Sequence, residues 1–338
     1  MEEIKEKKTE QQIIDQLKKE LKNYEQSTTD ERNELNEIYK NYMGKMDEVQ
    51  AVPYDVKEPI PKLRTEIAYV KPFVFSGEPE IEVEGIGDED KETSKILEKM
   101  VNYRITQSIP NAYEKIEQWV HQAVTFGTSV IKVVWNFQTQ PAGEGFETPI
   151  VDEPDLEVPN LMDAYYNPLI PTIDGQQSII FRSVLNPDDI KKNPAYNFVG
   201  ADGIRNADKI KGKELRQDTY NSTSQANQVA VSNQKDVVEV YERITKDRIT
   251  TIAEGTQTLV LRDIENPDGY INAVKLIFEP NTVPNFFSGL GVGHNTLGLG
   301  KSYFKLWSQT LQSVKMTNNP MSVGAKGTRI KKDQLVSK

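Results

Sequence analysis

The stretch Asn295-Thr296-Leu297-Gly298-Leu299-Gly300-Lys301-Ser302 comes within one residue of a phosphate-binding loop. Gly300-Lys301-Ser302 offers a lysine for a phosphate and a hydroxyl for magnesium, but Asn295 stands where the first glycine must turn backbone amides onto the phosphates. Such a loop also leaves a buried strand, whereas here the glycine-rich Phe286-Phe287-Ser288-Gly289-Leu290-Gly291 precedes it, and no apolar strand ending in aspartate follows. A nucleotide-binding protein built on Gly300-Lys301-Ser302 is therefore the weakest reading. The two histidines, His121 and His294, lie far apart, and neither has a second histidine at metal-ligand spacing. Asp163, Asp188 and Asp189 could hold a cation, yet turn and capping duties account for them better. With no cysteine there is no thiolate chemistry and no disulfide. No serine, histidine and acid arrangement emerges, so the sequence implies no enzyme, no metal and no cofactor.

The remaining chemistry is charge. Residues 301–338 hold eight Lys and Arg against one acid, Asp333, a net +7; the chain as a whole is −10, which leaves 33 basic against 50 acidic residues, or −17, on residues 1–300. An acidic body with a basic end repels a polyanion over most of its surface and can hold it at one place. A helix over Leu297–Asn318, about 33 Å long at 1.5 Å per residue, carries two stripes. Phe304, Trp307, Leu311 and Val314 make an apolar one, expected to pack between subunits. Lys301, Lys305, Ser308, Gln312 and Lys315 make a polar, basic one about 100° around the axis. Beyond Asn318-Asn319-Pro320, Lys326, Arg329, Lys331 and Lys332 continue the charge. Point charges without an aromatic reading platform suit phosphate contact without sequence readout.

The elements that position this helix are mixed. Residues 1–50 read as a charged helical arm: Ile14, Leu17, Leu21 and Tyr24 at helical spacing, a break at Ser27-Thr28-Thr29, then a second helix opened by a Thr28–Glu31 capping box, carrying Leu35, Ile38 and Tyr42 and closed by Gly44. Two such narrow stripes suit docking on another surface or subunit, or a plain surface hairpin of helices. Residues 51–88, broken by five prolines, read as extended chain with short strands at Ile67–Val70 and 81–84. Helices follow over about 90–107 and 112–126, the second opened by Asn111, with Ile116, Trp119, Val120, Ala123 and Val124 on one side and Gly127 at its end. Thr128–Phe137 is β-branched and aromatic enough for a buried strand.

From residue 138 the pattern is short strands and turns: Asn167-Pro168, Asp174-Gly175, a strand over Ser178–Val184, and Asn186-Pro187 heading a short helix. Residues 214–235 have almost no apolar content and read as a mobile loop. Val237–Arg243, Arg248–Ile252, Thr258–Leu261 and Ile271–Phe278 read as an antiparallel meander. The fold class is α+β: helices mixed with antiparallel strands, then a long helix. At 338 residues the chain is long enough for two or three structural units. The charged N-terminus and the lack of any run of about eighteen apolar residues imply a soluble, unexported chain without a membrane span.

The order of these elements resembles bacteriophage portal proteins, the head-to-tail connectors, particularly those of short-tailed phages. The likeness rests on Trp119–Trp135 with Gly127 inside it, on Val158–Pro168 with Tyr165-Tyr166-Asn167-Pro168, on Val238-Glu239-Val240-Tyr241-Glu242-Arg243, and on Pro284–Gly293 leading into the long helix. The resemblance implies a wing over 51–285, a glycine-rich loop and stem helix over 286–318, and the start of the clip over 319–338. It implies a dodecameric ring around a channel for packaging and ejecting double-stranded DNA, with Lys301, Lys305, Lys315, Lys326, Arg329, Lys331 and Lys332 toward the DNA. Its partners would be the major capsid protein, the terminase and tail adaptor proteins, its place the capsid vertex of the virion after assembly in the host cytoplasm. A second stem helix and a crown, usual in that family, are not found before Lys338. A virion adaptor or scaffold-interacting protein is the competing structural reading.

Overall fold

A computed structural model of the chain describes residues 9–43, 81–87, 90–141, 147–213, 236–282 and 286–318. In chain order the elements are α1 (Glu10–Ser27), α2 (Thr29–Met43), α3 (Lys91–Tyr103), a π-helical turn (Arg104–Ser108), α4 (Ala112–Phe126), β1 (Thr128–Pro141), β2 (Glu147–Glu157), β3 (Ala164–Tyr165), β4 (Ile179–Leu185), α5 (Pro187–Lys192), α6 (Asn206–Lys209), β5 (Val238–Ile244), β6 (Arg248–Glu254), β7 (Thr258–Glu265), β8 (Ala273–Ile277) and α7 (Val292–Asn318). The α+β class expected from the pattern is the class observed.

Two antiparallel sheets organise the body, one of order β3-β4-β5-β6-β7 and one of order β2-β1-β8. The meander holds for β5, β6 and β7. The stretch expected as its fourth strand leaves instead: β8 pairs with β1, Ile131 opposite Val274. Alternation along a strand states that a sheet exists, not which sheet it joins, so the sequence pattern could not separate the two. From 138 onward the strands β3 to β8 are short, as expected; the exception is the start of this stretch, where β1 runs on to Pro141 and makes a long hairpin with β2. Nor is β1 buried along its length: burial ends at Lys132, and Val133 and Trp135 are exposed.

Alternation divides the larger sheet's two faces. Ile180 and Tyr241 point to one face and meet Ile13, Ile14 and Leu17 of α1. Ile179, Phe181, Ile244 and Ile249 point to the other and pack with Leu35 of α2, Val130 of β1 and Phe287. At that face's far end Val238 and Val240 meet Ile190 of α5 and Ala207 of α6. The apolar stripe of α1 is thus buried on its own chain's sheet, each fully buried Leu or Ile contributing about 1.5–3 kcal/mol. Glu20 fastens the helix by accepting from Nε (2.7 Å) and Nη2 (2.9 Å) of Arg243. Burial alone would raise the Glu20 pKa, but Arg243 overrides it and holds it below the ordinary value.

The junction of α1 and α2 differs from the expected capping box. Thr28 Oγ1 donates to the Tyr24 carbonyl (2.7 Å) and accepts from Arg32 Nε (2.9 Å), so the hydroxyl serves the end of α1 and a buried guanidinium. The reciprocal cap lies at the start of α1, where the Thr9 N–H donates to Gln12 Oε1 (2.9 Å). Arg32, 6% exposed, donates further to the carbonyls of Met162 (2.5 Å) and Ala164 (2.8 Å) and lies over the Tyr165 ring, 4.1 Å from its centroid. Residues 81–85 form no strand; they run beside α3, where the Ile81 N–H donates to Asn102 Oδ1 (2.9 Å). The α3 helix ends at Tyr103 and passes into the π-helical turn. The expected strand at Ile67–Val70, the loop 214–235, Gly44 and the basic residues Lys326, Arg329, Lys331 and Lys332 lie outside the described residues.

Candidate functional site: the root and shaft of the long helix

The long helix begins at Val292, five residues before the expected Leu297, and at 27 residues spans about 40 Å. Its root is a crossing of bare backbone. Gly127, at φ 84°, closes α4 in the left-handed conformation open to glycine. The chain returning from β8 passes directly over that turn: a Cβ on Gly127 would lie 2.2 Å from the Gly289 carbonyl oxygen, and one on Gly291 would lie 2.4 Å from the Gly127 nitrogen. The glycines of 289–293 that read as a loop signal are required by this close approach. Hydrogen bonds seal it, from the Gly289 N–H to Thr128 Oγ1 (2.7 Å) and from the Leu290 N–H to the Glu279 carbonyl (2.7 Å).

Just upstream, fully buried Phe287 stacks on Tyr166 (centroids 4.0 Å apart) and donates its N–H to the Pro168 carbonyl (2.9 Å). Lys275 lies over the other aromatic partner of this cluster, Phe287, at 4.4 Å, and donates to its carbonyl (2.9 Å). Tyr166 donates its hydroxyl to Glu31 of α2 (2.8 Å), and Ser288 reaches the same carboxylate. Burial first, then Glu31, holds the Tyr166 phenol well above its ordinary pKa, so it remains a donor. Gln176 braces the Asn167-Pro168 turn by donating to the carbonyls of Asn167 and Ile170 (2.9 Å each).

Along the shaft, Val292 packs with Val124 of α4 beside Val120 and Tyr42. Gly293 abuts Ile38, Gly300 abuts Asn41, and Lys301 pairs with Glu37 of α2 at 2.6 Å with both side chains substantially exposed. Phe304 is buried within the chain at 1% exposure and offers almost no area to a neighbour. Trp307 and Leu311 are half-buried, and Val314 is exposed. Past Phe304 the helix leaves the body. Leu299, Tyr303, Leu306 and Val314, at helical spacing on one side, are all exposed, Leu306 at 64%. Lys305 and Lys315 are exposed on a side roughly 180° away at 100° per residue, with no ion pair among the described residues.

This geometry overturns the phosphate-loop reading. Asn295–Ser302 is continuous helix, Gly300 is spent on Asn41, and Lys301 is paired with Glu37. Amides engaged in a helix interior cannot turn onto a phosphate. Among the described residues no cluster of acids and histidines has metal-holding geometry, and no helix is long and apolar enough to cross a membrane. His294 Nδ1 accepts from the Gly291 N–H (3.1 Å) in the first turn of α7, and His121 meets the Tyr42 ring edge-on at 6.0 Å. Asp163 lies 3.4 Å from Arg182, which also pairs with Glu239 at 2.7 Å. A cleft of about 1090 Å³ between the sheets is lined by Lys132, Glu157, Tyr196, Glu242 and Arg262 among others. Lys132 there sits 2.8 Å from each of Glu157 and Glu242. Burial would lower its pKa, but the two carboxylates raise it above the ordinary value, so it is a fixed cation and not a base.

The arrangement is that of a structural part: two sheets and a helical layer hold one long helix at its root and release its outer half. The comparisons with known proteins agree in kind. Residues 12–163, somewhat less than half of the chain, match the family model described as phage SU10 portal protein. No curated protein matches the chain. The family match supports a phage portal protein, a structural class, and its span ends within the body, well before α7.

Proposed function

We propose that this chain is a portal subunit: a protein that assembles as a ring at a phage capsid vertex and surrounds the path of double-stranded DNA. Residues 1–50 are its helical arm, 51–285 its wing, 286–318 its glycine-rich loop and stem helix, and 319–338 the start of its clip. The observation that carries the reading is α7 itself, clamped at Gly289–Gly293 and projecting with two unlike uncovered sides. A free helix with an apolar stripe and a basic stripe is unsatisfied alone. In a ring, Leu299, Leu306 and Val314, with Trp307 and Leu311, meet the next copy, while Lys305 and Lys315 face the enclosed space.

The −17 of residues 1–300 keeps duplex DNA off the rest of the surface. Two or three lysines per copy, joined by the basic residues beyond Asn318, hold phosphates by charge alone, which lets a duplex slide. The capsid protein, the terminase and tail adaptors are the partners of such a ring; twelve copies is the number expected by resemblance.

Electron microscopy with class averaging tests this at modest salt without nucleotide. Rings with an opening of about 20 Å or more, wide enough for B-DNA given its groove dimensions, are expected. Solid particles or monomers at all concentrations would overturn the proposal.

A further inference from the structure

The β1–β2 hairpin outruns its support. β8 pairs only with Thr128–Lys132, whereas β2 follows β1 from Lys132 to Pro141. The Val133 N–H still donates to the Asn272 carbonyl (3.0 Å), and from Val134 outward the hairpin is a two-stranded ribbon of about 27 Å at 3.4 Å per residue, a construction marginal in water without a face to lie on. Two of its described apolar side chains are uncovered, Val133 at 44% exposure and Trp135 at 66%, while Val134, Val151 and Leu156 are half-buried. Residues 133–157 contain six acids and no Lys or Arg. Among the described residues the ion pairs between the ribbon and cations of the same chain lie at its base, Lys115 with Asp155 (2.5 Å), Arg104 with Glu153 (2.9 Å) and Lys132 with Glu157 (2.8 Å).

A second surface has the opposite character. On α3, Ile96, Leu97, Met100 and Tyr103 share one face, with exposures of 67, 45, 54 and 62%. Lys95 and Lys99 flank that face and are exposed; Glu92 in the first turn and Asp90 at the N-cap are the described acids at its start. The helix's other side is occupied, with Ser94 buried and Asn102 bonded to Ile81. One chain therefore carries an acidic ribbon with an uncovered tryptophan and an apolar helix edged with lysine, and among the described residues no ion pair joins Lys95 or Lys99 to the ribbon.

We infer that the ribbon of one copy docks on α3 of the next, Val133 and Trp135 against Ile96, Met100 and Tyr103, with the ribbon's carboxylates toward Lys95 and Lys99. Unlike surfaces meeting in this way make a head-to-tail contact, the kind that repeats around a closed ring. The inference rests on the ring reading above and assigns it a contact in the wing, apart from the stem.

Charge exchange tests it in the full chain. K95E/K99E makes α3 acidic, and E147K/D152K makes the ribbon basic. Each variant alone sets like charge against like and should lose about tenfold or more of its rings. Mixed in equal amounts, every contact in an alternating ring is complementary, and assembly should return. Because the chain has no cysteine, K99C and D152C give a second readout: a short bismaleimide should join two chains in the mixture and not in either variant alone. Rings undiminished in both charge variants, or equal cross-linking within each single variant, would overturn the inference and leave the portal reading standing. Failure of the unaltered chain to form any ring would overturn both.

Discussion

Replacing Gly291 and Gly298 by alanine makes the same chemical change seven residues apart with opposite expected signs. A Cβ on Gly291 would sit 2.4 Å from the Gly127 nitrogen, 2.7 Å from the Thr125 oxygen and 2.8 Å from the Val124 oxygen. All three are backbone atoms of the turn that Gly127 fixes at positive φ, so none can swing aside. Restoring ordinary contact at 3.4 Å requires the root of α7 to withdraw by about 1 Å, which loosens Val292 from Val124. Overpacking costs about 1–3 kcal/mol, and an immovable opposing surface puts Gly291→Ala at the upper end, about 3 kcal/mol. Gly298 has nothing within 4 Å of an added Cβ and lies inside α7, so alanine there should stabilise by about 1 kcal/mol through helix propensity. Urea unfolding followed by tryptophan fluorescence at fixed protein concentration should therefore separate the two variants by about 4 kcal/mol. If Gly291→Ala is as stable as the unaltered chain, the close crossing is not what the glycine provides and the account of the root is wrong.

Lys132→Met should destabilise by about 3–5 kcal/mol at neutral pH, because it strands Glu242 beside Glu157. The pH slope should then reverse. In the unaltered chain Glu242 is buried, which raises its pKa, but Lys132 holds it below the ordinary value; its stabilisation is present above an unfolded pKa of about 4.3 and is lost as pH falls through the folded one. Without the cation, burial leaves the pKa high, and the variant should gain stability as pH falls from 7 toward 5 in acid titrations of the unfolding midpoint. Arg32→Met should cost about 2–4 kcal/mol in the same assay, since it leaves the buried Met162 and Ala164 carbonyls without donors. Lys305→Glu with Lys315→Glu should leave the thermal midpoint within about 2 °C, because both side chains are exposed, while weakening duplex binding at every sequence tested and flattening its dependence on salt. Millimolar Mg-ATP should not raise the melting temperature, and Lys301→Ala should change nothing in that response; a ligand-induced rise abolished by the variant would restore the nucleotide reading.

The unit from α4 through Gly127 into β1 was legible because each part announces itself locally: an amphipathic helix, a glycine at a position of positive φ that closes it, and a β-branched run. The long helix was legible for the same reason, although Lys301 of its basic stripe is paired with Glu37. What stayed hidden is set by partners distant in sequence. Arg32 looks like any helical surface arginine until Met162 and Ala164 arrive more than a hundred residues later. Gly289, Gly291 and Gly293 read as loose chain, yet each lies where a Cβ would meet a distant neighbour, Ile277 and Glu279 at Gly289, the Gly127 turn at Gly291, and Ile38 and Thr125 at Gly293. Phe304 and Val314 share a stripe on the helical wheel, but the body ends between them, so one is buried and the other open. Periodicity reports the angle of a residue around an axis; it carries no information on where along that axis the neighbours stop.

The clamp at Gly289–Gly293 makes α7 a cantilever. Its fixed end lies across the α4–β1 turn, its free end reaches beyond the body, and no hinge residue of open backbone separates them until Gly298, one turn and a half into the helix. A sideways push on the outer half, such as a moving duplex would exert on Lys305 or Lys315 in the ring proposed above, becomes a torque at the Gly127 turn. Because Gly289 bonds Thr128 at the head of β1 and Leu290 bonds Glu279 just past β8, that torque enters the three-stranded sheet at both strands simultaneously. The sheet's other extremity is the β1–β2 ribbon. Load applied at the shaft is thereby delivered to the far edge of the body along continuous backbone, and strain in the centre of an assembly would be felt at its rim.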